Sequence, residues 1–194
     1  MDLLLASTSP IRSAMLANAG VKFAAIPSGV DEDAIKQGSR GGDDKLAADL
    51  AAAKALSVSG AHRQALVIGS DSLVSVDGRR FSKPAGRDEA EEHLRAFSGK
   101  AMTLTSAVAL ARDGELIWNA VANASLHVRK LSEAFIRDYL ELEWPEVAYC
   151  VGVFRLEGRG IQLFERLEGD YFTVLGMPLL PLLGALRKTG FLAA

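Results

Sequence analysis

The stretch LLLASTSPIRSAML, residues 3 to 16, sets three hydroxyls, Ser7, Thr8 and Ser9, and the cation Arg12 where an apolar run meets a helix-like segment. A strand-to-helix turn needs only one capping residue. A helix N-terminus offers unpaired N–H groups and partial positive charge, worth ~0.3–1 kcal/mol to an exposed anion. Ser7 and Thr8 add hydroxyl donors, and a guanidinium can fork onto phosphate oxygens. A cation in the first turn opposes the helix dipole, so Arg12 makes sense beside a bound anion. The alternative is that Ser9 caps and Arg12 is solvated, and the motif alone leaves the two readings evenly balanced.

Four further stretches carry chemistry. In ALVIGSDSL, residues 65 to 73, Asp71 follows an apolar strand and Gly69-Ser70. Strand ends of α/β proteins open onto ligand crevices, and a carboxylate there binds a divalent metal or serves as general base; a plain turn aspartate is the alternative. In SKPAGR, Lys83 precedes Pro84, which keeps it out of the α region and presents its ammonium as a point charge for phosphate; an ordinary loop lysine is the alternative and, in isolation, the favoured one. Asp31, Glu32 and Asp33 form an acidic loop after a strand, hard oxygen ligands suited to Mg²⁺ or Mn²⁺, or merely a solvated surface. In FRLEGRG, Gly158 and Gly160 let backbone approach a ligand, and Glu157 stands between Arg155 and Arg159, which a salt-bridged loop also explains. His62, His93 and His127 lack ligand spacing, and Cys150 has no activating partner in the sequence.

These residues need elements to hold them. Leu3–Ala6 reads as a buried strand, with Ser9 as N-cap and Pro10 as the first residue of a helix ending at Gly20. Val21–Ile26 is a second strand, and Asp43 or Asp44 caps a long alanine-rich helix to about Val58. Ala65–Ile68 is a strand ending at Gly69-Ser70-Asp71, continued by Leu73–Val76 before an Asp77-Gly78 turn. Arg87–Phe97 is helical, with Asp88 as cap. Met102–Ala111 and Leu116–Val128 alternate as a hairpin around Asp113-Gly114. Ser132–Leu142 is an amphipathic helix, Ile161–Leu167 a strand and Leu179–Lys188 the last helix. The sum is an α/β fold whose sheet is mixed, with a central antiparallel hairpin, rather than simply doubly wound.

The 194 residues, 49% of them hydrophobic, suffice for one domain with a real core. A net charge of −2 speaks against a nucleic-acid polymer as partner but not against one small polyanion held by local cations. The single cysteine excludes a disulfide framework and favours a reducing, cytoplasmic setting. The N-terminus MDLLLASTSP lacks a basic n-region, so no signal peptide is expected, and no apolar stretch approaches the ~18 residues of a membrane span.

In this order the stretches resemble the Maf family of nucleoside triphosphate pyrophosphatases. The match runs from LLLASTSPIR through VDE, GSD, KP and SGK to GRG, LFERLEGDYFTVLGMPL and the last helix, covering residues 1–194 as one Maf-like domain. The resemblance implies a fold related to the inosine triphosphate pyrophosphatases, two lobes around a deep cleft, and a homodimer. It implies metal-dependent hydrolysis between the α and β phosphates, with Mg or Mn as the divalent cation. It places Ser7, Arg12, Lys54 and Lys83 on the phosphates, Glu32 with Asp71 on the metal, and Asp71 as proton acceptor for the attacking water.

Three family positions are linked to base specificity, and here they are Ile11, Ser72 and Glu157. The branch acting on dTTP and UTP carries Arg, Thr and Gln; the branch acting on 7-methyl-GTP carries Trp, Gln and Glu. Glu157 matches the second branch, and none of the three matches the first. A carboxylate accepts both the N1–H and the N2 amine of guanine, whereas thymine and uracil suit an amide. The expected substrate is therefore 7-methyl-GTP or another modified nucleotide. A dTTP/UTP pyrophosphatase and a non-catalytic nucleotide-binding regulator of cell division are the alternatives.

Overall fold

Capping side chains start several helices where the sequence sets them. The structure, a computed structural model, describes residues 2–193. Strand β1 (Asp2–Leu5) leads to Ser9, whose hydroxyl accepts the Arg12 N–H, and to α1 (Pro10–Asn18) with proline in its first turn. Strand β2 is only Ala24–Ala25, shorter than the expected Val21–Ile26, because Val21 closes the turn after α1 through its N–H to the Leu16 carbonyl.

The acidic loop is a correction. Glu32–Gly38 forms helix α2, capped by Asp31, whose carboxylate accepts the Ala34 N–H at 3.1 Å. Glu32 and Asp33 occupy its first turn, where the dipole favours acids. Helix α3 (Asp43–Ser59) follows, with Gly42 rather than an aspartate at the N-cap.

Strand β3 (Ala65–Val76) is continuous, so Asp71 lies within it rather than past its end. A turn with positive φ at Asp77 and Gly78 leads to β4 (Arg79–Phe81). Helix α4 (Arg87–Phe97) has Gly86, not Asp88, at its N-cap. Strands β5 (Ala101–Arg112) and β6 (Glu115–Val128) join at Asp113-Gly114, again with positive φ at both, which is the expected hairpin. Ser132 caps α5 (Glu133–Glu143). The expected strand from Ile161 begins only at Phe164, because Arg159–Leu163 coils into a 3₁₀ turn; β7 is Phe164–Glu168. Helices α6 (Tyr171–Val174) and α7 (Leu179–Lys188) end the chain's regular structure.

The sheet is mixed. Its strand order is β2-β1-β3-β5-β6-β7, with β4 also on β3. β1 runs parallel to β2 and β3, while β3–β4 and β6–β7 are antiparallel. No helix among the described residues is long and apolar enough to cross a membrane.

Two compact units divide the fold. One comprises residues 2–72, 105–122 and 170–193, the other residues 73–104 and 123–169. The first is built on Leu3 and Leu5 of β1 and Leu66 and Ile68 of β3, against Met15 and Leu16 of α1 and Leu182 and Leu186 of α7. Full burial of such a side chain is worth about 1.5–3 kcal/mol.

In the second unit α4 buries His93 against the rings of Phe81 and Phe97. Its Nδ1 has no hydrogen-bond partner, and its Nε2 lies 3.6 Å from Glu89. Burial holds the imidazole below its ordinary pKa, with Glu89 and Glu92 pulling up and Arg79 pulling down. The unfolded chain therefore binds this proton first as pH falls through about 6.5, so acidification favours unfolding. We expect the urea midpoint to fall from pH 8 to pH 5, and His93→Leu to flatten that fall. An unchanged slope in the variant would assign the pH dependence to other groups.

Candidate active site

Helix α3 buries Leu46, Ala47, Leu50, Ala51, Ala55 and Val58, the spacing of one helical face. Lys54 falls on that same face and is only 7% exposed. The helix lies directly on β3 at Gly69, where a Cβ would run into the Ala51 carbonyl and the Ala55 amide. This close approach brings Lys54 to Asp71, which is 6% exposed. Lys54 Nζ stands 2.5 Å from Asp71 Oδ1 and 2.7 Å from Glu32 Oε1, so one ammonium joins two carboxylates from α2 and β3.

Electrostatics follow from that arrangement. Burial alone would raise the Glu32 carboxyl, but the hydrogen bond and charge of Lys54, helped by Lys36, bring it below its ordinary value. Burial pushes the Arg12 guanidinium below its usual range, while Asp71 and then Glu32 pull it back.

Arg12 belongs to a second cluster in the same unit. Its Nε donates to the Gly176 carbonyl at 3.0 Å and its Nη2 to Ser72 Oγ at 3.2 Å. Ser7 is buried, and its hydroxyl accepts the Ser9 N–H at 3.1 Å. Ile11 packs, partly buried, against the apolar core of this unit.

Lys83 and Glu157 lie in the other unit, both exposed. There the Cys150 thiol is pushed up by burial first and then by Glu157, with Arg155 and Lys83 opposing, which disfavours the thiolate. Arg155 and Arg159 turn to buried Glu143, at 3.1 and 3.7 Å, rather than to the Glu157 between them. A Cβ at Gly160 would stand 2.5 Å from the Arg155 carbonyl, so that glycine serves a close approach of the chain to itself. His62 is exposed, and His127 contacts Arg166 at 2.9 Å.

No group of three or more His, Cys, Asp or Glu side chains suited to a metal occurs among the described residues. Mg²⁺ commonly takes one or two carboxylates and completes its shell with water and phosphate oxygens. Glu32 and Asp71, already gathered around one cation, fit that donor set.

A family model described as Maf-like protein matches residues 2–189. The chain belongs to the Maf family. This Maf chain is 47% identical to a 7-methyl-GTP pyrophosphatase of Rhizobium meliloti (strain 1021), covering 99% of this chain and 98% of that protein. It is 46% identical to a 7-methyl-GTP pyrophosphatase of Rhizobium etli, over 97% and 96% of the two chains. A nucleoside triphosphate pyrophosphatase of Nitrobacter hamburgensis is 47% identical, over 98% of this chain and 95% of that one. Among solved structures, a nucleoside-triphosphatase / dITP/XTP pyrophosphatase from Mycobacterium abscessus overlaps with a TM-score of 0.38 at 17% identity, covering 66% of this chain and 73% of that one, too loose a likeness to carry an argument.

In this Maf chain Lys54 carries no motif of its own in the sequence and is marked only by the family resemblance. Alanines lie on every side of its helix, so Lys54 stands out only once α3 is laid on β3. Gly176, whose carbonyl accepts from Arg12 Nε, has no side chain to mark it. Its only trace is a glycine ahead of Met177-Pro178, and its φ of 101° is one that side chains disfavour.

Proposed function

We propose that this protein hydrolyses nucleoside triphosphates between the α and β phosphates, releasing a nucleoside monophosphate and pyrophosphate, with 7-methyl-GTP preferred. The observation that carries the reaction is the buried Lys54 shared by Asp71 and Glu32, in a chain whose full-length relatives are named as such pyrophosphatases.

Asp71 is the general base. An ionised carboxylate has two oxygens and several lone pairs, so one bond to Lys54 leaves it able to accept a proton from water. The water oxygen adds to the α phosphorus, its proton goes to Asp71, and the α–β bridging bond breaks with its electron pair leaving on pyrophosphate. Arg12 and Lys54 neutralise phosphate charge, Ser7 donates a hydroxyl, and Lys83 is a further phosphate contact. Glu32 and Asp71 would hold a divalent ion, Mg²⁺ or Mn²⁺, which when bound adds positive charge against the developing charge of the leaving group. None of these steps needs a covalent intermediate.

Glu157 is the guanine reader, accepting N1–H and the N2 amine, and Ile11 sits at a second specificity position. The same reading carries a cytoplasmic homodimer, whose mass sedimentation will give. A panel of triphosphates with Mg²⁺ or Mn²⁺, followed by pyrophosphate release, tests the base preference. We expect 7-methyl-GTP to exceed UTP and dTTP, and Glu157→Gln to narrow that preference about tenfold. Faster turnover of UTP or dTTP by the wild type would overturn the guanine assignment.

A further inference from the structure

We infer that Ser72 and the Gly176 carbonyl are positioning groups that hold Arg12 for the phosphates, and that Ser72 acts through Arg12 rather than by reading the base. The inference rests on the phosphate role proposed for Arg12.

A guanidinium has five N–H donors in a rigid fork. In Arg12 the Nε–H meets the Gly176 carbonyl at 3.0 Å and one Nη2–H meets Ser72 Oγ at 3.2 Å. Both acceptors are neutral, so they orient the cation without neutralising it, and the other N–H groups remain for an anion. Each acceptor is fixed in turn. The Gly176 carbonyl also accepts the Ser72 hydroxyl at 2.9 Å, and it lies 3.2 Å from Ser70 Oγ, whose shorter acceptor is the Ala107 carbonyl at 2.8 Å. Ser72 Oγ lies 3.0 Å from Ser106 Oγ, which donates to the Thr173 carbonyl at 2.8 Å. Ser70, Ser106 and Thr173 are all buried. A Cβ at Gly176 would stand 3.1 Å from Ser72 Oγ and 3.7 Å from Arg12 Nη2, so glycine keeps the carbonyl and the serine in register. A Ser72 hydroxyl placed among these partners is committed to the protein.

The test is a double-mutant cycle with two readouts. Calorimetry measures inorganic triphosphate binding to the wild type, Ser72→Ala, Arg12→Ala and the double variant; steady-state kinetics measures KM for 7-methyl-GTP and UTP. We expect Ser72→Ala to weaken triphosphate binding about tenfold, to raise KM for both nucleotides alike, and to add little once Arg12 is gone. Ser72→Thr, which keeps the hydroxyl, should restore binding. Additive losses, failure of Ser72→Thr to rescue, absence of triphosphate binding to the wild type, or a change in the 7-methyl-GTP to UTP ratio without a shared rise in KM would each overturn the inference. A wild type that binds inorganic triphosphate in the expected pattern but turns over no nucleotide would instead refute the proposed reaction and leave the positioning intact.

Discussion

Asp71→Asn lowers kcat for pyrophosphate release by ~10²–10⁴, the range for loss of a general base. Asparagine keeps the shape and one accepting oxygen of the side chain but cannot take the proton, so at saturating nucleotide and metal the loss falls on the chemical step. The carboxylate is buried, lies in a continuous strand and meets Lys54 at 2.5 Å, so its place is set before any substrate arrives. Single-turnover release of pyrophosphate at saturating nucleotide measures the effect. A loss below tenfold would move the proton to another group. Tight binding of triphosphate by the wild type with no product would leave a nucleotide-binding regulator as the surviving account.

Lys54→Met is the second large effect, and it falls on stability. Removing one partner of a buried pair strands the other charge, at a cost of about 3–5 kcal/mol. The Asp71 leg carries that cost, since the side chains of Lys54 and Asp71 are each 9% exposed. The Glu32 leg adds little, because that carboxylate is 40% exposed and water can replace the ammonium. Urea titration should show a lower midpoint at unchanged slope. In an Asp71→Asn background the same substitution should cost much less, since no buried carboxylate is left unpaired. Equal costs in both backgrounds would contradict the pairing. A carbon-detected titration of Glu32 offers a second check, because without Lys54 its carboxyl should titrate at higher pH than in the wild type.

Much of the fold was legible where the signal is local. Ser9 and Ser132 cap as their neighbours demand, and Asp113-Gly114 turns the hairpin because both residues can take positive φ. The run from Asp31 reads as a loop, yet Asp31 caps a helix and leaves Glu32 in the first turn. The candidate site was legible as residue types and much less as contacts. Arg12 is marked by its awkward place against the helix dipole, but its partner Gly176 lies 164 residues away and accepts through a main-chain carbonyl, which no residue type advertises. Lys54 sits in an alanine-rich helix like any solvated lysine until the helix is laid on β3. Periodicity gives the face of a helix; it does not say which strand that face will meet.

Gly69 sets a limit for anyone who would redesign this chain. Helix and strand touch there main chain to main chain, so no layer of side chains exists that could be thinned or swelled to tune the lysine's reach. An inert hydrogen atom thus governs the placement of two charges, and a survey that scores residues by their reactive groups will pass it over. Recoding that single position, rather than any of the acids or bases, is the quickest way to pry α3 off β3.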